Sequence, residues 1–145
     1  GALRANARGS YASEAGVELL IRSRSIRPGA PFVVEFTPFS VEYPTGAYID
    51  VEKLLDSAGA WSGGERRIAY LAASLLSPDH AVDLSDTITG LDRTNVRLVL
   101  AAIAHASGSH EHSDFIPTFT PEGEHSSYRI EKLDTLYAWP YPKEN

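Results

Sequence analysis

Three histidines are the residues best suited to metal chemistry, namely His105, His110 and His112. Imidazole nitrogens with nearby carboxylates are typical ligands of zinc or nickel. The spacing fits such a site poorly, because His110 and His112 would share a face only on a strand, whereas they follow Gly108 in a stretch typical of a loop. The sequence therefore favours solvated histidines and predicts neither a metal nor a cofactor.

The sequence gives little support for nucleophilic or acid–base catalysis. The chain has no cysteine, which removes thiol nucleophiles and thiolate metal sites. Its serines lie in no G-x-S-x-G motif. Asp83 and Asp86 are three residues apart, a spacing typical of a helix start, where carboxylates complement the helix dipole. We therefore predict no catalytic residues.

The stretch Ser62-Gly63-Gly64-Glu65 could hold an anion at the start of a helix. Bare glycine backbone lets a phosphate approach closely, and the free N–H groups and the helix dipole favour negative charge. The same residues also form an S-x-x-E capping box, in which Ser62 and Glu65 satisfy the first backbone donors. The capping box favours an ordinary helix start, but it does not require Gly63 and Gly64.

The longer stretch from Trp61 to Asp92 resembles part of the ABC-type ATPases. Its first half, Trp61 to Leu75, resembles the signature segment, in which an S-G-G-[QE] motif opens a helix, and Thr89-Gly-Leu-Asp92 resembles the D-loop. In that family the signature motif acts across a dimer interface. The resemblance therefore implies that Ser62 to Glu65 could face a nucleotide held by a partner ATPase.

The chain differs from that family at the residues that bind and hydrolyse ATP. Ser85 stands at the position of the magnesium-binding aspartate, and Asp86 at that of the catalytic glutamate. No G-x-x-x-x-G-K-[ST] motif occurs, so the lysine and the N–H groups that hold the phosphates are missing. We expect no ATP hydrolysis by the chain alone. An accessory role beside an ATPase is the alternative function.

Residues 48–108 also resemble, more loosely, small uncharacterised bacterial proteins with an S-G-E-R…L-A-A-S-L…V-D-L…T-G-L-D layout. That resemblance implies a helical fold without an activity, and it transfers no catalytic residue.

Four principal helices are predicted to position these residues. Each combines a capping residue with apolar residues at helical spacing, and the caps are Ser10, Asp50, Ser62 and Asp92. One short helical turn is predicted over 83–88. Alternating residues predict hairpins near 32–43, where Pro38 interrupts the pattern, and near 115–131, where Pro121-Glu-Gly-Glu supplies the turn.

The predicted fold class is mainly α, a small bundle of about four helices with minor β elements. A length of 145 residues suits one domain. We expect a helical domain over 1–108 and an irregular extension over 109–145, rich in aromatic residues and proline, that packs on the same domain. The arginines of residues 1–28 are expected to lie on a solvated helix face beside a flexible tail.

The composition limits the classes of partner that the protein is expected to bind. A net charge of −6 argues against general nucleic-acid binding, and no run approaches the roughly 18 apolar residues that cross a bilayer. The absence of cysteine suits the cytoplasm. Tyr137, Trp139 and Tyr141 are of the types favoured in protein interfaces. The sequence therefore predicts a non-catalytic protein–protein interaction or regulatory module, with these three aromatic residues at its contact surface. Packing of the same rings on the core of the domain is the alternative.

Overall fold

The computed structural model describes residues 1–37 and 46–140. Its α-helices are α1 (Ala2–Ala7), α2 (Tyr11–Arg22), α3 (Val51–Ala58), α4 (Gly63–Leu76), α5 (Leu84–Ile88) and α6 (Arg93–Ala106), and a 3-10 helix spans Ser109–Glu111. Its strands are β1 (Val33–Phe36), β2 (Gly46–Ile49), β3 (Ser113–Phe119) and β4 (His125–Lys132). Each sheet is a single antiparallel pair, β1 with β2 and β3 with β4.

Three of the four predicted helix starts are confirmed by side-chain caps. The capping bonds run from Ser13 N to Ser10 Oγ (3.2 Å), from Lys53 N to Asp50 Oδ1 (3.1 Å) and from Asn95 N to Asp92 Oδ1 (2.8 Å). Each bond satisfies a backbone donor that has no partner inside its own helix. These short-range bonds explain why α2, α3 and α6 begin where the sequence predicts.

The predicted capping box of α4 is wrong, although the helix begins at the predicted place. The Ser62 side chain makes no capping hydrogen bond. The Glu65 carboxylate is directed instead toward Arg27, with 3.5 Å between Glu65 Oε2 and Arg27 Nη2. A guanidinium supplied by another part of the chain thus attracts the carboxylate that the box would have used, and the first N–H groups of α4 stay uncapped by Ser62.

The core lies between α2, α4 and α6, whose facing sides carry small and aliphatic residues. The fully buried members include Ala15, Leu19, Leu20, Ile68, Ala69, Ala72 and Ala102. Small residues let helix axes approach closely. Phe32, just before β1, fills the remaining space edge-on to Trp61, with ring centroids 5.9 Å apart.

The N-terminal segment is helical, so the expected flexible tail is wrong for Ala2–Ala7. The segment packs against β2 with Ala7 buried, and an ion pair joins it to the next helix. Arg4 Nε donates to Glu18 Oε2 at 2.9 Å, which joins α1 to α2.

The fold is mainly helical, as predicted, with more strand than the predicted minor β elements. The four principal helices are α2, α3, α4 and α6, and α1 and the short α5 add to them. The predicted hairpin near 115–131 is confirmed as β3 and β4. In the other sheet, β1 pairs with β2 from Val33↔Ile49 to Phe36↔Gly46. The predicted second strand over 39–43 lies outside the described residues.

No helix in the described ranges is both long enough and apolar enough to cross a bilayer.

Candidate functional site

The strands β3 and β4 form a two-stranded ribbon, called here the β3–β4 ribbon (residues 113–132). β4 is exposed along its whole length, and β3 is partly buried only at Ile116 and Thr118. The strands pair from Ser113↔Lys132 to Thr118↔Ser127. The ribbon therefore presents both of its faces to solvent over most of its length.

One face of the ribbon, called here the apolar face, carries large hydrophobic side chains. Phe115 pairs with Ile130 and Pro117 with Tyr128, and strand alternation places Phe119 on the same side. The exposed fractions are 64% for Phe115, 62% for Phe119, 60% for Tyr128 and 66% for Ile130. A contiguous set of large exposed apolar side chains is typical of an interaction surface.

The opposite face of the ribbon is mainly polar. Asp114 pairs with Glu131 on this face, and Arg129 follows two residues before Glu131. Arg129 Nη2 lies 4.0 Å from Glu131 Oε2. The ribbon is therefore two-sided, with two acidic residues and one arginine on one side and the apolar face on the other.

The ribbon is closed at its tip by a tight turn. Gly123 adopts a φ of +85°, which favours glycine, and Thr120 N donates to Glu124 O at 2.8 Å. An irregularity in the pairing places Phe119 opposite His125. The His125 ring lies edge-on to Tyr128, with centroids 4.7 Å apart, so the aromatic character of the apolar face continues to the tip.

Both ends of the ribbon are fixed to one buried serine. Gly108 ends α6 with a φ of +79°, which turns the chain into the 3-10 helix. The Ser109 hydroxyl lies 2.9 Å from Thr135 Oγ1, and it accepts a hydrogen bond from Leu136 N at 3.3 Å. The base of the ribbon is thus held on the helical body, while its outer part is free to make contacts.

Of the three predicted contact residues, the two that the structure describes, Tyr137 and Trp139, do not share one environment. Trp139 packs on the helical body, with the Arg22 guanidinium carbon 5.4 Å from its ring centroid, and Arg22 Nη1 donates to Pro140 O at 2.7 Å. Tyr137 is 56% exposed. Tyr141 lies outside the described residues. Trp139 therefore holds the extension on α2, whereas Tyr137 is available to a partner.

Two of the three candidate metal histidines lie together. The rings of His105 and His110 stack with centroids 4.2 Å apart, and Tyr11 lies edge-on to His110. His105 Nε2 is 2.9 Å from Glu14 Oε1, whereas His112 is exposed on its own. Within the described ranges, no group of three or more histidines and carboxylates is arranged to hold a metal ion. The pair acts as packing between α2, α6 and the 3-10 helix.

A cleft of about 340 Å³ opens beside this pair, between α1, α2, α6 and Trp139. Its main charges are joined: Glu18 accepts from Arg4 Nε at 2.9 Å and from Arg22 Nε at 2.6 Å. Burial raises the pKa of Glu18, but the hydrogen bonds and charges of both arginines outweigh it, so the pKa lies below its ordinary value. The same bond and charge raise the pKa of Arg4. The one carboxylate thus binds two guanidiniums, which leaves these three side chains with a net charge of +1; such bonding is typical of a structural ion-pair network.

The start of α4 brings together the two parts of the ATPase-like stretch. A Cβ on Gly63 would lie 3.5 Å from Arg67 Nη1, and a Cβ on Gly64 would lie 3.7 Å from Asn95 Nδ2. Both are ordinary contact distances, so packing does not require either glycine. A Cβ on Gly90, in the D-loop-like segment, would lie 3.3 Å from the same Arg67 atom. The Arg67 guanidinium therefore lies between the two segments.

Comparison of the chain with protein-family models, with curated proteins and with solved structures finds no match.

The apolar face is the feature that sequence reasoning missed. Alternation predicts the hairpin, but it does not say whether the apolar side packs on the body. The available signal was topological: once the apolar faces of the four principal helices are used in one core, no predicted helix longer than a single turn remains to cover the hairpin.

Proposed function

We propose that the protein is a non-catalytic protein-interaction module that binds through the apolar face of the β3–β4 ribbon. The observation that carries the proposal is the exposure of Phe115, Phe119, Tyr128 and Ile130, each at least 60% exposed on one side of a ribbon. Side chains of this size would together offer about 500 Å² of surface. That area approaches the roughly 800 Å² per partner of a standard protein interface.

The stability of the ribbon supports the same function. A two-stranded hairpin is marginally stable in water unless its face packs against something. Among residues 1–37 and 46–140, the half-buried Ile116 and Thr118 lie on the polar side, and no element covers the apolar face. A bound protein would supply the missing layer. The fixed base at Ser109 would orient the ribbon toward that protein.

The test compares the two faces of the ribbon by substitution. The double variant Phe115→Ser with Ile130→Thr removes apolar surface from one pair, and Asp114→Ser is the matched control on the polar face. Proteins retained from native lysate by the wild type and by Asp114→Ser, but lost by the double variant, would be contacts of the apolar face. Protection of ribbon amides from hydrogen exchange in the captured complex is also expected. Equal retention by all three proteins, with no ribbon protection, would contradict the proposal.

The alternative function is an accessory subunit that presents Ser62 to Glu65 to a nucleotide held by a partner ATPase. Two features favour it: Ser62 does not cap α4, and the Arg67 guanidinium lies beside Gly63. Free N–H groups with an adjacent cation suit a phosphate. ATP turnover by the candidate partner, measured with wild-type protein and with Gly64→Asp, tests this function. A partner whose turnover is unchanged by the substitution would remove it.

A further inference from the structure

We infer that the β3–β4 ribbon binds a second copy of this chain, and that the two ribbons pair antiparallel along β4 around a two-fold axis at Ile130. The inference goes beyond the proposed function: the second copy would bind the strand edge of β4, and the apolar face would stay open to another protein. The paired ribbons would form a four-stranded sheet whose two apolar faces lie on the same side.

The backbone of the ribbon favours β4 as the pairing edge. Leu133 N donates to His112 O at 2.9 Å, which makes this a hydrogen-bonded pair. Pairs alternate along an antiparallel ladder, so Tyr128, Ile130 and Lys132 direct their N–H and C=O groups away from β3. These groups face the outer edge of β4, which pairs with no other strand of residues 1–37 and 46–140. Such a row of outward donors and acceptors is a template for another strand.

The edge of β3 is less suitable for pairing. Pro117 lies opposite Tyr128 in a pair that is not hydrogen-bonded, so its backbone nitrogen faces outward. Because proline has no N–H, this edge lacks a donor near its centre. By contrast, β4 contains neither proline nor glycine. The two edges therefore differ in their capacity to accept a second copy.

The charges on the polar face select the register. A two-fold axis at Ile130 would place Arg129 of each copy opposite Glu131 of the other. An axis at Arg129 would oppose two arginines, and an axis at Glu131 would oppose two glutamates. Opposite charges across a strand pair stabilise it, whereas like charges destabilise it. Of these three registers, only the one centred on Ile130 is complementary.

The apolar face fits the same register. Tyr128 of each copy would lie opposite Lys132 of the other, where an ammonium can contact an aromatic ring. The two Ile130 side chains would meet at the axis. About six backbone hydrogen bonds would link the copies. One strand edge buries less than the roughly 1,200 Å² of a stable interface, so we expect a dissociation constant on the order of micromolar.

Cysteine crosslinking tests the geometry directly, because the chain contains no cysteine. In Ile130→Cys the two new residues would face each other at about 5.5 Å between Cα atoms, a separation that suits a disulfide. Phe115→Cys is the matched control. Phe115 pairs with Ile130 inside the ribbon and lies one strand farther from the axis, so its two copies would be about 14 Å apart. Mild oxidation should crosslink Ile130→Cys at least tenfold faster than Phe115→Cys.

Charge exchange tests the register. Sedimentation equilibrium of the wild type is expected to show a monomer–dimer equilibrium. Arg129→Glu and Glu131→Arg should each weaken association at least tenfold, since each opposes like charges twice. The double variant Arg129→Glu with Glu131→Arg should restore it to within about threefold, because the pairs are re-formed with reversed sign. Both substitutions are at exposed positions, and circular dichroism verifies that each of the three variants is folded.

The inference is overturned if the wild type stays monomeric at millimolar concentration, if both cysteine variants crosslink equally, or if the double variant associates no better than the single ones. The proposed function fails separately. If the chain is monomeric but still retains a different protein through Phe115 and Ile130, the proposed function is supported and the inferred dimer is contradicted. If the apolar face retains no protein and the chain forms no dimer, both the proposed function and the inferred dimer are contradicted.

Discussion

The imidazole of His105 in α6 stacks on that of His110 in the 3-10 helix, with centroids 4.2 Å apart and planes 7° from parallel. His110 Nδ1 is buried and has no hydrogen-bond partner within the described residues. Leaving a buried polar atom unpaired costs about 1–3 kcal/mol. His110→Phe, which keeps a stacked ring and removes this atom, is therefore expected to raise the free energy of unfolding by about 1 kcal/mol.

Urea denaturation at pH 8 measures this effect. His110→Ala serves as the control, because it loses the stacked ring and should lower the free energy of unfolding by about 1–2 kcal/mol. Equal losses of free energy of unfolding in His110→Phe and His110→Ala would show that the imidazole nitrogen, and not the stacked ring, stabilises the fold at this position.

The sequence predicted those parts of the fold that depend on near neighbours. Asp92 caps α6 through Asn95, three residues away, and such a bond can be recognised from spacing alone. The errors involve distant residues. The capping box at Glu65 failed because Arg27 attracts its carboxylate, and the expected tail is helical at Arg4, which binds Glu18 of the next helix.

The candidate site was predicted only in part, for a related reason. The hairpin follows from alternation, but the exposure of its apolar face depends on what the rest of the chain does not cover. The sequence therefore predicted partner contacts at Tyr137, Trp139 and Tyr141, whose residue types are common in interfaces. It did not predict contacts at Phe115 and Ile130.

The ion-pair network at Glu18 predicts a specific pH dependence. Because the arginines lower the pKa of Glu18 in the folded state, its contribution to stability is fully present above the unfolded pKa of about 4.3, and it is lost as the pH falls through the folded value. Glu18→Gln should lower the free energy of unfolding at pH 7 by about 1–3 kcal/mol. Its stability should then fall less steeply than that of the wild type below about pH 4.

Thermal unfolding between pH 3 and pH 7 measures both effects. Glu111→Gln is the control, because Glu111 pairs with Lys132 at 3.7 Å on the exposed surface, where an ion pair contributes less than about 1 kcal/mol. Parallel pH profiles for wild type and Glu18→Gln would contradict the role of Glu18.

The C-terminal extension gives a prediction that separates packing from surface exposure. Trp139 packs on Arg22, so Trp139→Ala should lower the free energy of unfolding by about 1–3 kcal/mol through lost cation–π and apolar contact. Tyr137→Ala changes an exposed ring and should stay within about 0.5 kcal/mol of the wild type. Guanidinium denaturation followed by circular dichroism compares them. Equal effects would mean that the two rings do not differ in packing.

Gly64 has room for a side chain, so the effect of substituting it on the free energy of unfolding can be predicted. Since a Cβ there would meet only Asn95 Nδ2, at 3.7 Å, Gly64→Ala should raise the free energy of unfolding by about 0.5–1 kcal/mol through helix propensity. Gly64→Asp should be at least as stable as Gly64→Ala, because a carboxylate complements the N-terminal end of a helix dipole. Destabilisation by both substitutions, measured by urea denaturation, would show that the fold requires this glycine.

Gly16 is expected to respond in the opposite way. A Cβ on Gly16 would lie 2.7 Å from Leu76 Cγ and 3.2 Å from the backbone oxygen of Ala72, so α2 and α4 leave no room for it. Although alanine favours helix formation by about 1 kcal/mol over glycine, Gly16→Ala should lower the free energy of unfolding by about 1–3 kcal/mol through overpacking. Urea denaturation measures the change, with Gly64→Ala as the matched helical control.

A double-mutant cycle with Leu76→Ala identifies the cause. Leu76→Ala alone should destabilise the protein by leaving a cavity, but it also provides the space that a Cβ on Gly16 needs. The double variant should therefore lose at least about 1 kcal/mol less than the sum of the two single losses, since the residues are in direct contact. Additive losses would show that the Gly16 effect does not arise from Leu76, and would place it instead on the Ala72 backbone, which the substitution cannot relieve.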